Sequence, residues 1–445
     1  MSKKRVALYT LGCKVNQYES SSLAGLFRER GYQVVDFEGK AEVYIINTCT
    51  VTHLAASKSR QLIRRAIKAN PQAIIAVTGC YTQVSPDEVQ KIDGVDLLVG
   101  TRDRARLVDL VEQSAKGRGV LNAVSQYTPF DEFEEMSVHS IQGRARVFLK
   151  IQEGCSNYCT YCIVPYARGP LRSRNPDKVI TAARELVSSG YGEIVLTGIH
   201  TGAYGRDLDM DINLAGLLTR LFKIPGLQRL RLSSIEPHDI TLELVEVMSG
   251  SKIFCRHLHV PLQSGEDEIL RQMGRKYTAW EYFRLTEVLR ENIPGLSLTT
   301  DVMVGFPGET ADHFLSTYSL VKKIAFSGLH VFKYSPRRGT PAAGYCQQVE
   351  PGLKDERSRK LIQLGRKMSA DYAASHLGRE LSVLVEQRVH GDEVLFEGHT
   401  DNYLKVVFPG REGLLGKIVP VRAESLKGPV IEGKIIDLQR EGIDR

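Results

Sequence analysis

The chain has 445 residues, 42% hydrophobic and 25% charged, with a formal net charge of +7 from 59 basic and 52 acidic residues. That length exceeds one ordinary core and implies two to four domains, no apolar run approaches the ~20 residues of a membrane span, and the eight cysteines do not make a disulfide framework. MSKKRVALYT is a basic start into a short strand rather than a signal peptide, so a cytoplasmic chain with metal or redox chemistry is expected. The modest positive charge permits a polyanionic partner without requiring one.

Strand and helix patterns alternate over the first part of the chain. RVALYTLGC predicts a strand ending at Gly12-Cys13, followed by a helix from about Asn16 to Arg30 closed by Gly31. AEVYIINTC ends at Asn47-Thr48-Cys49 before a helix to about Ala69, and QAIIAVTGC ends at Thr78-Gly79-Cys80. If these strands run parallel, their carboxyl ends share one edge of the sheet, the edge where open α/β sheets place ligands. Cys13, Cys49 and Cys80 then converge; the alternative is three small buried residues at strand ends.

From Ala115 to Arg144 the pattern lapses into a linker or extended crossover. A second alternating series follows, with strands in RVFLKIQEG, EIVLTGI, RLRLSSI, HLHVPLQ, LTTDVMVGF and GLHVFKYS. Six βα units are too few for an eight-stranded barrel and predict an open partial one. A helical connector, KDERSRKLIQLGRKMSADYAASHLG, leads to ELSVLVEQ, VLFEGHT, LKVVFP, GKIVPVRA and VIEGKIIDLQ. These alternate apolar and polar residues and predict a small five-stranded barrel of a kind that often binds oligonucleotides.

The stretch QEGCSNYCTYCIVPYARG carries Cys155, Cys159 and Cys162 just past the first strand of the partial barrel, at its carboxyl-end mouth. Iron–sulfur clusters of the common kinds take four thiolates. Three therefore leave one iron open to a substrate or cofactor. Zinc held by three Cys and a His is the alternative, but the spacing is unusual for zinc fingers and no nearby His completes the set.

CxxxCxxC with Tyr161 before the last cysteine resembles the hallmark of radical S-adenosylmethionine (SAM) enzymes. The resemblance implies that the amino and carboxylate groups of SAM chelate the open iron, and that reductive cleavage yields a hydrogen-abstracting 5′-deoxyadenosyl radical. It also implies SAM contacts at Thr197, Gly198, Ser234, Glu236 and, in VMVGFPGE, Gly305. TLGCKVNQYES, NTCTVT and TGC resemble the amino-terminal domain of methylthiotransferases, which implies that Cys13, Cys49 and Cys80 hold a second 4Fe-4S cluster. The family likeness spans essentially the whole chain. It implies a methylthiotransferase domain over 1–116, a linker over 117–140, a radical SAM core over 141–371 and a TRAM domain over 372–440.

GCKVN, NTCTVT, HLHVPLQSG and HVFKYSPRRGTPAA are similar to the branch that acts on N6-threonylcarbamoyladenosine beside the tRNA anticodon, although His200 stands in GIHTGAYG where Asn is expected. The implied reaction installs a methylthio group at C2 of the adenine, one SAM methylating a sulfur species and a second supplying the radical. A reductase or flavodoxin-type electron donor and a sulfur donor are implied partners. Branches acting on isopentenyladenosine or on a ribosomal protein are the alternatives, with a non-catalytic zinc RNA-binding protein as a different class.

For RNA, Arg60, Arg64 and Lys68 share one helix face beside Lys58 and Arg65, a solvated helix surface being the alternative. Arg168, Arg172 and Arg174 are expected to meet a nucleotide at the barrel mouth, as are Arg337 and Arg338. Tyr403 and Phe408 are candidates for base stacking or for barrel core. Cys255 and Cys346 read as ordinary free thiols. His257 and His259 are expected on opposite faces of their strand, at most one of them looking into the barrel.

Overall fold

Strands β1 (Arg5–Thr10), β2 (Gln33–Val35), β3 (Val43–Thr48), β4 (Ile74–Gly79), β5 (Leu97–Val99) and β6 (Leu121–Ala123) form one parallel sheet in the order β2-β1-β3-β4-β5-β6. This computed structural model describes residues 3–117, 119–136, 145–389 and 394–436. Helices α1 (Lys14–Glu29) and α2 (His53–Ala69) cover opposite faces of the sheet. Val6, Ile45 and Val99 meet Leu23 and Phe27 on one face, and Tyr44, Ile46 and Val77 meet Ile63 and Ala66 on the other. This two-sided burial is why the strands read as continuous apolar runs.

The chain reverses its direction across the sheet between β1 and β3, so the loops after these two strands flank a topological switch point. β6 falls inside the stretch expected to be a linker, where it pairs with β5. Met136, farther along, reaches back into the sheet's core and accepts a hydrogen bond from Tyr18. Arg118 and residues 137–144 of that stretch lie outside the described residues, as do the expected domain limits at 1, 140, 141 and 440.

The second series gives β7 (Arg146–Lys150), the short pair β8 (Gln152–Glu153) and β9 (Arg172–Ser173), then β10 (Glu193–Thr197), β11 (Arg229–Leu232), β12 (His257–His259), β13 (Ser297–Val304) and β14 (Gly328–Lys333). β11-β10-β7 and β12-β13-β14 are parallel sheets joined by bridges from Leu230 to Phe254 and from Ser234 to His259. The result is the open six-stranded partial barrel. Along β13, Leu298, Val302 and Val304 pack against the surrounding helices, while Thr299, Asp301 and Met303 are half-buried on the concave side.

The helix Pro351–Ala374 leads into a closed barrel of β15 (Glu380–Val389), β16 (Leu395–Thr400), β17 (Lys405–Pro409), β18 (Ile418–Lys427) and β19 (Val430–Ile435), in the order β15-β16-β17-β19-β18. The end of the fifth expected strand, 437–439, lies outside the described residues. This barrel docks on the partial barrel through Arg229, which donates to the Ser382 and His399 carbonyls, and Arg231, which donates to those of Thr400 and Asp401. Among the described residues no helix is long and apolar enough to cross a membrane.

Candidate iron–sulfur and SAM site

β1, β3 and β4 are adjacent and parallel, so the cysteines that follow them lie side by side on one sheet edge. Cys13 is exposed at the start of α1; Cys49 and Cys80 are buried. A β-carbon on Gly12 would stand 3.1 Å from Cys49 Sγ, so the first two loops touch. Gly79 has φ +97°, and a β-carbon there would stand 2.6 Å from the Thr48 carbonyl oxygen. Only glycine lets the Cys80 loop approach the Cys49 loop this closely. Gly79→Ala is expected to cost roughly 1–3 kcal/mol in backbone strain alone. It should lower both the melting temperature and the iron retained by the amino-terminal domain; unchanged values of both would contradict this packing.

The other trio lies in the loop between β8 and the helix Val164–Arg168. Thr160 anchors the loop: its N–H donates to the Met273 carbonyl, its hydroxyl to the Gln272 carbonyl, and its own carbonyl accepts from Ala342. Tyr161 packs with Ile269, Met273, Phe306, Tyr334 and Ala342, which seats the loop against the segment holding Gly305. Arg275 donates to Cys159 Sγ at 3.5 Å and pairs with Glu236.

Burial pushes the Cys80 and Cys162 thiols up to about 12. A thiolate at either place needs a strong positive partner, which iron ions supply. Two groups of three thiols, each partly desolvated and touched by an arginine, therefore fit two clusters with three protein ligands apiece.

Around the barrel mouth, Thr197 ends β10 and its carbonyl accepts from Ile151. Gly198 packs on Gln152, whose Oε1 accepts the His200 N–H at 2.6 Å. The Ser234 carbonyl accepts from Thr201. Gly305 has φ +71°, donates its N–H to Glu309 and lies under Lys354. His200 bonds Asp239 at 2.6 Å and lies 3.9 Å from Cys155 Sγ. Burial opposes its protonation, but the bonds to Asp239 and Cys155 outweigh it and push His200 up to about 9.

Several expected RNA contacts are corrected. Arg168, Arg172 and Arg174 are buried: Arg168 is held by Glu19 and Glu153, Arg172 by the Pro170 and Arg168 carbonyls over the Tyr127 ring, and Arg174 by Glu135. Arg337 is buried too and donates to Thr50, beside Cys49. Guanidiniums so committed are not phosphate-contacting groups. Arg60 is half-buried against Tyr81, whereas Lys58, Arg64, Lys68 and Arg338 are exposed and Arg65 pairs with Glu38. Phe408 lies in the core of the closed barrel. Tyr403 is stacked between His257 and His399 at the junction of the two barrels.

His257 and His259 do not face opposite sides. Both bond Thr299 Oγ1, at 3.0 and 2.9 Å, because residues two apart on a strand share a face. His259 continues to Asp301 at 3.2 Å, and His330 on β14 reaches the same carboxylate oxygen at 3.4 Å. This polar trio on the concave side was not singled out from sequence; the alternation of β12 and β13 was the available signal. Cys255 is buried and Cys346 exposed, both free thiols.

The fold and the cysteine loop together define a radical SAM enzyme. Residues 149–321 match the Radical SAM superfamily and residues 5–100 the Uncharacterized protein family UPF0004. The chain is 47% identical over 441 residues to the Threonylcarbamoyladenosine tRNA methylthiotransferase MtaB of Bacillus subtilis, covering 98% of each. It is 39% identical over 444 residues to the tRNA-2-methylthio-N(6)-dimethylallyladenosine synthase of Moorella thermoacetica, covering 98% of this chain and 99% of that one. In fold it is similar to the radical SAM methyltransferase TsrM from Kitasatospora setae, with a TM-score of 0.59 at 16% identity over 77% of each chain. The chain belongs to the radical SAM methylthiotransferase family.

Proposed function

We propose that this protein methylthiolates C2 of N6-threonylcarbamoyladenosine at tRNA position 37, using two SAM and two 4Fe-4S clusters. The observation that carries the reading is the convergence of Cys13, Cys49 and Cys80 on the edge of a second domain packed against the barrel that bears Cys155, Cys159 and Cys162. Of the two named relatives, the more similar, the Bacillus subtilis protein at 47% identity, supports the nucleoside assignment. The concave face favours it as well. His259, Asp301 and His330 suit a substituent with a carboxylate and a hydroxyl better than the hydrocarbon of a dimethylallyl group.

Cys155, Cys159 and Cys162 would hold the cluster that, with SAM, would supply radical hydrogen abstraction, and Cys13, Cys49 and Cys80 the one that would supply sulfur. The residues around them orient and shield. Arg275 steadies Glu236 and the Cys159 sulfur, the His200–Asp239 pair braces the Cys155 side, and Tyr161 fixes the loop. Thr197, Gly198, Ser234, Glu236 and Gly305 face SAM in this reading. Lys58, Arg64, Lys68 and Arg338 are exposed cations that this reading offers to the tRNA backbone. The domains divide near 116, 140 and 371, the protein works in the cytoplasm, and a reductase or flavodoxin-type protein and a sulfur donor serve it.

The nucleoside profile of tRNA from a deletion strain tests the assignment. The methylthio-threonylcarbamoyl nucleoside should disappear and its unthiolated precursor accumulate. Its persistence, with loss of the methylthio-isopentenyl nucleoside instead, would assign the enzyme to the other substrate.

A further inference from the structure

We propose that Arg168 is the positioning residue of the amino-terminal cysteine trio and couples it to the cysteine loop of the barrel; the inference rests on the two-cluster reading above. Arg168 ends the helix that begins two residues after Cys162, so its place in the chain is set by the barrel's own cluster loop. Its side chain, 1% exposed, crosses into the amino-terminal domain. Nε donates to Cys80 Sγ at 3.3 Å, one terminal nitrogen to Asn16 Oδ1 at 2.5 Å, and the other to Glu19 at 2.7 Å and Glu153 at 2.5 Å.

Asn16 completes the hub. Its Nδ2 donates to the Leu11 carbonyl at 2.6 Å and to the Thr48 carbonyl at 3.1 Å, and Cys13 Sγ lies 3.7 Å from its Oδ1. Leu11 precedes Gly12-Cys13 and Thr48 precedes Cys49. One guanidinium and one amide thus reach all three cysteine loops, and the guanidinium comes from the other domain. Glu19, at the centre, also pairs with Arg104 and Lys150. Glu153 pairs with the same two cations and lies two residues before Cys155.

This is more than a buried ion network. A guanidinium presents its donors in a fixed fork and stays charged, so Arg168 can hold a carboxylate, an amide and a thiolate at once, which a lysine cannot. A charge-assisted N–H bond to a cluster-ligating sulfur favours the more negative, reduced state and so raises the reduction potential. Arg168 would therefore set both the geometry of the trio and the redox poise of what it binds, in step with the order of the barrel's cysteine loop.

The test uses the full chain, reconstituted anaerobically with iron and sulfide. The background is Cys155→Ala/Cys159→Ala/Cys162→Ala, in which the amino-terminal trio is the cluster site. Redox titration followed by electron paramagnetic resonance is compared with and without Arg168→Lys. The expected result is an intact cluster whose midpoint moves to lower potential and whose spectrum changes. An intact cluster with the same midpoint and spectrum would overturn the role of Arg168. A background chain that takes up no cluster would sink the two-cluster reading itself, a separate outcome.

Should Arg168→Lys fail to fold, Asn16→Ala in the same background carries the test. It removes the amide that the guanidinium holds, so iron should be lost to a chelator several-fold faster. An unchanged rate would overturn the hub.

Discussion

Cys155→Ala is expected to reduce SAM cleavage to 5′-deoxyadenosine to the no-enzyme background, while the chain stays folded. Cys155 lies in a loop held from both ends, its N–H donating to the Gly169 carbonyl and its sulfur facing His200. The variant leaves two thiols for a site that already has one ligand fewer than usual. Loss of the methyl-sized sulfur group at a half-buried loop position removes little packing, so the melting temperature should change by no more than a few degrees. Anaerobic turnover with a chemical reductant, read by chromatography of the nucleoside product, decides it. Equal cleavage by wild type and Cys155→Ala would refute the assignment of this loop.

Cys49→Ala should give the complementary result, with SAM cleavage retained and methylthio product lost. Cys49 follows the middle strand of the three that carry the amino-terminal trio, and its neighbours across the sheet edge are the Cys13 and Cys80 loops. The barrel's trio shares none of these strands. The reconstituted variant should therefore hold roughly half the iron of the wild type, one four-iron cluster of two. Product analysis on substrate RNA together with iron content tests the division of labour. Loss of cleavage and of nearly all iron would mean that the two trios do not act as separate sites.

The clearest sequence signals lay where a long apolar or alternating run met a turn residue. β1, β3 and β4, the six strands of the open barrel and the five of the closed one were all legible in this way. β2, β5 and β6 were not: each is three residues long and, unlike the equally short β12 within HLHVPLQ, none sits in a longer run with a clear period. The stretch around β6 read as a linker for the same reason, although Tyr127, Phe133 and Met136 bring it against Arg172, Lys150 and Tyr18.

Both candidate cysteine trios are legible in the sequence, one by its CxxxCxxC spacing and the other by its places at three strand ends, and those signals survive in one dimension. The arginines are not. Arg64 and Arg168 are both single cations in basic stretches, yet one is exposed on a helix face and the other is enclosed by carboxylates from two domains. A one-dimensional charge pattern holds no record of which acidic residues fold back onto it.

From the sequence alone came the fold class, the order of the three modules and both thiol trios, since each depends on local periodicity or on a short motif. The tertiary structure alone decided that the three strands bearing the second trio are parallel neighbours and that Asn16 and Arg168 bind its loops together. It also decided that His259, Asp301 and His330 share one concave face. These are contacts between residues far apart in the chain, selected by strand order and by the need to pair every buried charge.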